Sequence, residues 1–213
     1  MRGLAAMAVL LCVGSLVAQE GGEARMQVHE EDGGSVAVRT ANGMLNQDSS
    51  LKRKWYAIDD KNSPVSLDHA GVFCRFDEKE KVQYLLPVGT VSPKQSVSAV
   101  EVRYLLFDVW GERFRTLSVT RLTDSSTSID LGDNRRWPVS QSEVSQFLTV
   151  VAFVARVQTE GGRIWKFDAD RILAQIRALG KNVRSSELAP DEQPMISPGV
   201  IYWRYFSQPE YAR

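Results

Sequence analysis

Cysteine is almost missing from this chain of 213 residues, which has only Cys12 and Cys74, and histidine is as scarce, with only His29 and His69. Neither histidine has a Cys or His at the short spacing that zinc ligands need, so no metal centre is expected. Charge of one sign is missing too: 26 basic residues face 26 acidic ones. That balance, without a dense basic block, removes the usual electrostatic footprint of nucleic-acid or anionic-membrane binding. Past the first eighteen residues no apolar run is long enough to span a bilayer. The serine-hydrolase pattern G-x-S-x-G and the phosphate-cradling patterns G-x-x-x-x-G-K-[ST] and G-x-G-x-x-G are absent. No cofactor is implied, and the expected class is non-enzymatic.

What is present starts with a leader. Arg2 precedes the apolar stretch Leu4 to Val13, and Gly14, Ser15 and Ala18 follow. This is the layout of a secretory signal over residues 1–18, with cleavage expected after Ala18 and a periplasmic or extracellular product. Gln19, Glu20 and Glu23 stop the apolar run short of the ~20 residues of a membrane span. Cys12 invites a lipid-anchor reading, but the residue before it is the large Leu11, so Cys12 reads as part of the apolar segment. With the leader gone, Cys74 has no internal partner, and the domain must rely on burial rather than disulfides.

Residues 19–54 are rich in Gly, Glu, Asp, Asn and Ser and read as a flexible lead-in, with the domain expected over 55–180. From Trp55 onward period-two patterns dominate. Ala70, Val72, Cys74 and Phe76 share one face. The segment 82–91 is interrupted by Pro87 and Gly89, which predicts an edge or bulged strand. Residues 97–109 are apolar on both faces and read as interior. Trp110, Gly111 and Glu112 form a hairpin loop into the half-exposed strand 114–122. Residues 123–136 are polar and too poor in apolar side chains to be core.

In 147–157 the alternation puts Phe147, Val151, Phe153, Ala155 and Val157 on one face and Leu148, Val150, Ala152 and Val154 on the other. Glu160, Gly161 and Gly162 turn the chain into a short strand. Asp168 then caps an amphipathic helix bearing Ile172, Leu173, Ile176 and Leu179, which Gly180 ends. Residues 181–213 read as a Pro-rich linker and an extended aromatic tail. With no helical crossovers between strands, the pattern predicts a mainly β, antiparallel sandwich.

The segment Tyr104, Leu105, Leu106, Phe107 and Asp108, with Gly111 close behind, resembles the exported prokaryotic β-sandwich module named for its FxLYD motif. The resemblance covers about residues 82–160, with aromatics exchanged at two motif positions. The family's Pro-Gly is replaced by Leu131, Gly132 and Asp133. The resemblance implies an immunoglobulin-like sandwich in a prokaryotic envelope and brings no catalytic residues. Read physically, Tyr104 and Leu106 share a core face, and Asp108 hydrogen-bonds the turn before Gly111.

Carboxylates are the one remaining route to catalysis, because a glycosidase needs only two held across a sugar. The candidates are Asp59 with Asp60 and Asp130 with Asp133. The Asp-rich stretch 124–133 lacks the full calcium-loop order and reads as solvated. His69 reads as a partly exposed strand residue, and Cys74 as a buried, inert thiol.

Residues 200–206 carry Ile201, Tyr202, Trp203, Tyr205 and Phe206, a segment of very high β-propensity that must cover something. Either it docks on its own domain, or Tyr202, Trp203, Tyr205 and Phe206 contact a protein or envelope component. The expected function is therefore an exported protein-binding or scaffolding module. The alternative is glycan binding on a face carrying Trp110, Trp137 or Trp165, extended to hydrolysis if a carboxylate pair lies beside it.

Overall fold

Alternating apolar residues become strands in the computed structural model, which describes residues 26–39, 45–77, 82–123, 127–132, 135–191 and 195–196. In chain order the elements are β1 (Met26–Arg39), β2 (Leu45–Asp60), β3 (Val65–Asp77), β4 (Val82–Pro93), β5 (Val97–Asp108), β6 (Arg113–Leu122) and β7 (Ile129–Asp130). Then come β8 (Arg135–Val139), α1 (Gln141–Gln146), β9 (Phe147–Thr159), β10 (Ile164–Lys166), α2 (Ala169–Ala178), a 3₁₀ turn at Ser185–Leu188, and β11 (Met195–Ile196). One sheet runs β1-β2-β9-β5-β6 with β10 beside β9, and the other runs β11-β8-β4-β3 with β7 beside β4. No helix among the described residues is long and apolar enough to cross a membrane.

The two sheets share one core, in which Leu67, Val72, Leu85, Val91 and Trp137 of one meet Val100, Tyr104, Leu106, Leu117 and Val150 of the other. A second cluster lies on the far face of the first sheet, where Leu105, Phe107, Val151 and Phe153 pack against Ile172, Leu173 and Ile176 of α2. This double burial is why β5 and β9 are apolar on both faces. Asp168 accepts from the backbone N–H groups of Asp170 and Arg171 at the start of α2. Asp168→Ala should cost about 1 kcal/mol, read as a lower urea midpoint with an unchanged slope.

Several expectations are corrected. The pairing is mixed rather than purely antiparallel, because β2 runs parallel to β9 from Lys54↔Thr149 to Ile58↔Phe153. The flexible lead-in expected over 19–54 gives way to β1 and the first part of β2, paired from Met26↔Asp60 to Arg39↔Leu45. Met26, Val28, Tyr56 and Ile58 pack this ribbon against the second cluster, and the exposed ion pairs Lys52–Asp32 and Lys54–Glu30 cross between its strands. The polar stretch 123–136 does supply core, since Ile129 and Leu131 are buried. The region expected as linker after 180 buries Val183 and Leu188 and adds β11 to β8.

Strand β4 is interior rather than an edge. It pairs with β3 on one side, and on the other with β8 at Gln83–Leu85 and with β7 at Thr90–Val91. The Gly89 carbonyl accepts from the Leu131 N–H on that second side. By strand alternation Pro87 turns its missing N–H the same way, into the interval between β7 and β8, where no ladder bond is lost.

In β9 the expected face assignment fails at both ends. The pairing steps from Phe107↔Thr149 to Asp108↔Phe147 and from Glu101↔Arg156 to Val102↔Val154, so two bulges each insert one residue. Each insertion switches the face. Phe147 and Val157 therefore join Val150, Ala152 and Val154 between the sheets, while Val151, Phe153 and Ala155 face α2.

Candidate functional site

The most distinctive surface forms where β1, β2 and β3 meet. Trp55 of β2 is buried, and its indole lies between two glycines: a Cβ on Gly33 of β1 would stand 2.5 Å from Nε1, and one on Gly71 of β3 would stand 2.3 Å from Cε3. Glycine in these strands allows backbone to approach the ring closely. The rings of His69 and Phe73 meet Trp55 edge-on, with centroids 5.8 and 5.0 Å away. His69 Nδ1 pairs with the carboxylate of Glu31 across the junction between the sheets. Phe73 is 51% exposed beside this half-buried pair. The result is an apolar platform with a donor–acceptor pair at its rim, backed by a fixed indole.

Beneath it, the Trp55 indole N–H is buried and has no hydrogen-bond partner among the described residues. An unpaired buried donor costs roughly 1–3 kcal/mol. Cys74 follows Phe73 in the chain, and burial pushes its thiol above the ordinary value, against a smaller opposing effect of Arg53. The thiol therefore stays protonated at neutral pH and is a poor nucleophile.

The residues singled out in the sequence are dispersed. Asp59 and Asp60 are both buried, but neighbours on a strand point to opposite faces. Asp59 accepts from the Leu67 N–H at 3.1 Å and Asp60 from the Asn62 N–H at 2.9 Å, so both hold the β2–β3 connection. Asp130 accepts from the Gly132 N–H at 2.7 Å, while Asp133 lies outside the described residues. No group of three His, Cys, Asp or Glu side chains among the described residues is placed to hold a metal ion.

The three tryptophans do not make one face. Trp110 is 83% exposed at the β5–β6 turn, Trp137 is fully buried between the sheets, and Trp165 packs partly buried against that core. Asp108 does tie the turn beside Trp110, its Oδ1 accepting from the N–H groups of Trp110 and Glu112 at 2.9 Å each, and Gly111 takes φ +84°. The leader, with Cys12 and Ala18, and the tail, with Tyr202, Trp203, Tyr205 and Phe206, lie outside the described residues.

Sequence reading treated Trp55 only as the start of the domain and missed Glu31 and Phe73. Gly71, isolated within β3, and Gly33, beside Gly34 in β1, were the available signal of close backbone approach. Neither the family models, the curated proteins nor the solved structures contain a match to this chain.

Proposed function

We propose that this chain is an exported, non-enzymatic β-sandwich of immunoglobulin-like type that binds a protein or envelope component through the Phe73 corner. The observation that carries the reading is Phe73 itself. A large aromatic half in solvent, held edge-on by a fixed indole and rimmed by His69 and Glu31, has the composition of a contact hot spot. Rigid backing lowers the ordering cost that a contact residue otherwise brings.

The leader Met1–Ala18 supports export. The immunoglobulin-like reading is supported by the roles of the FxLYD-like segment: Tyr104 and Leu106 are core residues and Asp108 ties the turn, which are structural duties. Fold alone assigns no partner.

The test is recovery of envelope components from a detergent extract on the immobilised mature chain, compared with Phe73→Ser and with Trp110→Ser as a second exposed-aromatic control. Phe73→Ser should lower recovery of the bound component roughly tenfold or more, as hot-spot truncation does, with the domain still folded and the urea midpoint lowered only by the lost ring contact with Trp55, about 1 kcal/mol. Trp110→Ser should recover as the parent does. Equal recovery by Phe73→Ser would refute the reading. Binding to glycans on an array, lost in Phe73→Ser, would make the ligand a sugar and overturn the protein assignment.

A further inference from the structure

Phe73 belongs to a wider face that ends in a charge. Ala70 and Val72 of β3 lie in the core between the sheets, so by alternation Gly71, Phe73 and Arg75 point away from it. The ladder sets Gly71 opposite Val88, Phe73 opposite Leu86 and Arg75 opposite Tyr84 of β4. Leu86 and Val88 are half-buried, whereas Tyr84 is buried with the Arg136 guanidinium over its ring, 4.5 Å from the centroid. The Trp55 ring fills the place of a side chain at Gly71. The open part is therefore Phe73 with Leu86 and Val88, bounded by the exposed Arg75. The described helices pack elsewhere: α1 reaches the core through Val144, and α2 covers the far face of the first sheet.

The charges of β3 and its neighbours on this face differ in their engagement. Glu31 is held by His69, and Asp68 accepts from Ser92. Arg75 stands exposed, and no acid among the described residues pairs with it. Two residues apart on one strand, Phe73 and Arg75 share a face at a spacing of ~7 Å. An extended partner segment repeats its side chains at the same interval, so an apolar residue resting on Phe73 brings the residue two places along over Arg75. A carboxylate there gains a charge-assisted, bidentate pair with the guanidinium, which neither an amide nor a lysine can form.

We propose that the protein segment bound at the Phe73 corner is acidic: an extended stretch that sets an apolar side chain on Phe73, Leu86 and Val88, and an Asp or Glu two residues away on Arg75. Acid selection rests on the Phe73 contact and deepens it, with Phe73 supplying affinity and Arg75 choosing among sequences. An exposed ion pair adds little to affinity, so its effect falls on the choice of partner.

Random short peptides displayed on phage and panned on the immobilised mature chain test it. Peptides recovered by the parent should carry Asp or Glu two residues from an apolar side chain roughly threefold more often than the input library does, the size of an exposed pair. Arg75→Gln should keep the apolar residue and lose the acid preference. Arg75→Glu should turn the preference to Lys or Arg, an inversion that damage to the fold cannot produce. Both variants should keep the parent's urea midpoint, since Arg75 is exposed and makes no ion pair among the described residues. Phe73→Ser should recover no peptide above background. Peptides that need Phe73 but show no acid preference, or that keep it with Arg75→Gln, would overturn the acidic assignment and leave the Phe73 contact standing. Recovery indifferent to Phe73, or no recovery by the parent, would overturn both.

Discussion

Gly71→Ala is expected to destabilise the domain by about 3 kcal/mol, the upper part of the range for overpacking a filled core. The added Cβ would stand 2.3 Å from the Trp55 ring, and the ring has nowhere to go: Gly33 confines its far side, and His69 and Phe73 meet its edges. The φ of Gly71 is not positive, so contact alone makes the substitution costly. A double-mutant cycle separates this clash from a general weakness of β3. Trp55→Leu by itself should lose a few kcal/mol through the cavity it leaves. In the Gly71→Ala background the same change should cost at least about 1 kcal/mol less, because the two residues share one space. Urea unfolding of the four proteins measures this, and additive losses would refute the steric account. The same geometry predicts that Trp55→Phe is milder than an ordinary tryptophan truncation, since it removes an indole N–H that has no partner among the described residues.

This corner also shows what sequence reading could reach. Alternation located β5, β6 and the long β9, because each carries enough apolar residues for period two to stand out, and Asp168 and Gly180 mark the ends of α2. Composition misled at β1 and β2. The pair is held by the Trp55 ring and by scattered apolar residues, Met26, Val28, Tyr56, Ala57 and Ile58, that reach the two clusters without making a dense apolar run in β1. The bulges in β9 were invisible for a different reason: an inserted residue leaves the run apolar and changes only the face that each side chain takes. The platform was less legible still. Glu31, Trp55, His69 and Phe73 come from three strands, and only the meeting of two sheets brings them together.

The second large effect is expected at Glu101. Its carboxylate is buried on the α2 side of β5, where it accepts from Arg103 Nε at 2.9 Å, from Ser118 Oγ at 3.1 Å, and from Arg156 Nε. Burial works to raise its pKa, but the hydrogen bonds and charges of the two arginines outweigh that and hold it below the ordinary value. Arg103 reaches further, donating to the Leu188 carbonyl at 2.9 Å and lying over the Phe167 ring. Glu101 therefore anchors the cation that ties the segment after α2 to the sheet. Glu101→Ala leaves Arg103 shielded and without its carboxylate, and should cost roughly 2–4 kcal/mol, somewhat under a fully buried pair because Arg156 is largely in solvent. The pH dependence has a definite sign. A carboxyl whose pKa is lowered on folding contributes stability that is present above its unfolded value near 4.5 and lost as pH falls through the folded value. The gap in unfolding free energy between the parent and Glu101→Ala should thus be full at neutral pH and shrink in acid below the unfolded value. Urea titrations of both proteins across that range measure it, and a gap that stays constant into acid would mean that Glu101 acts through packing and not through its charge.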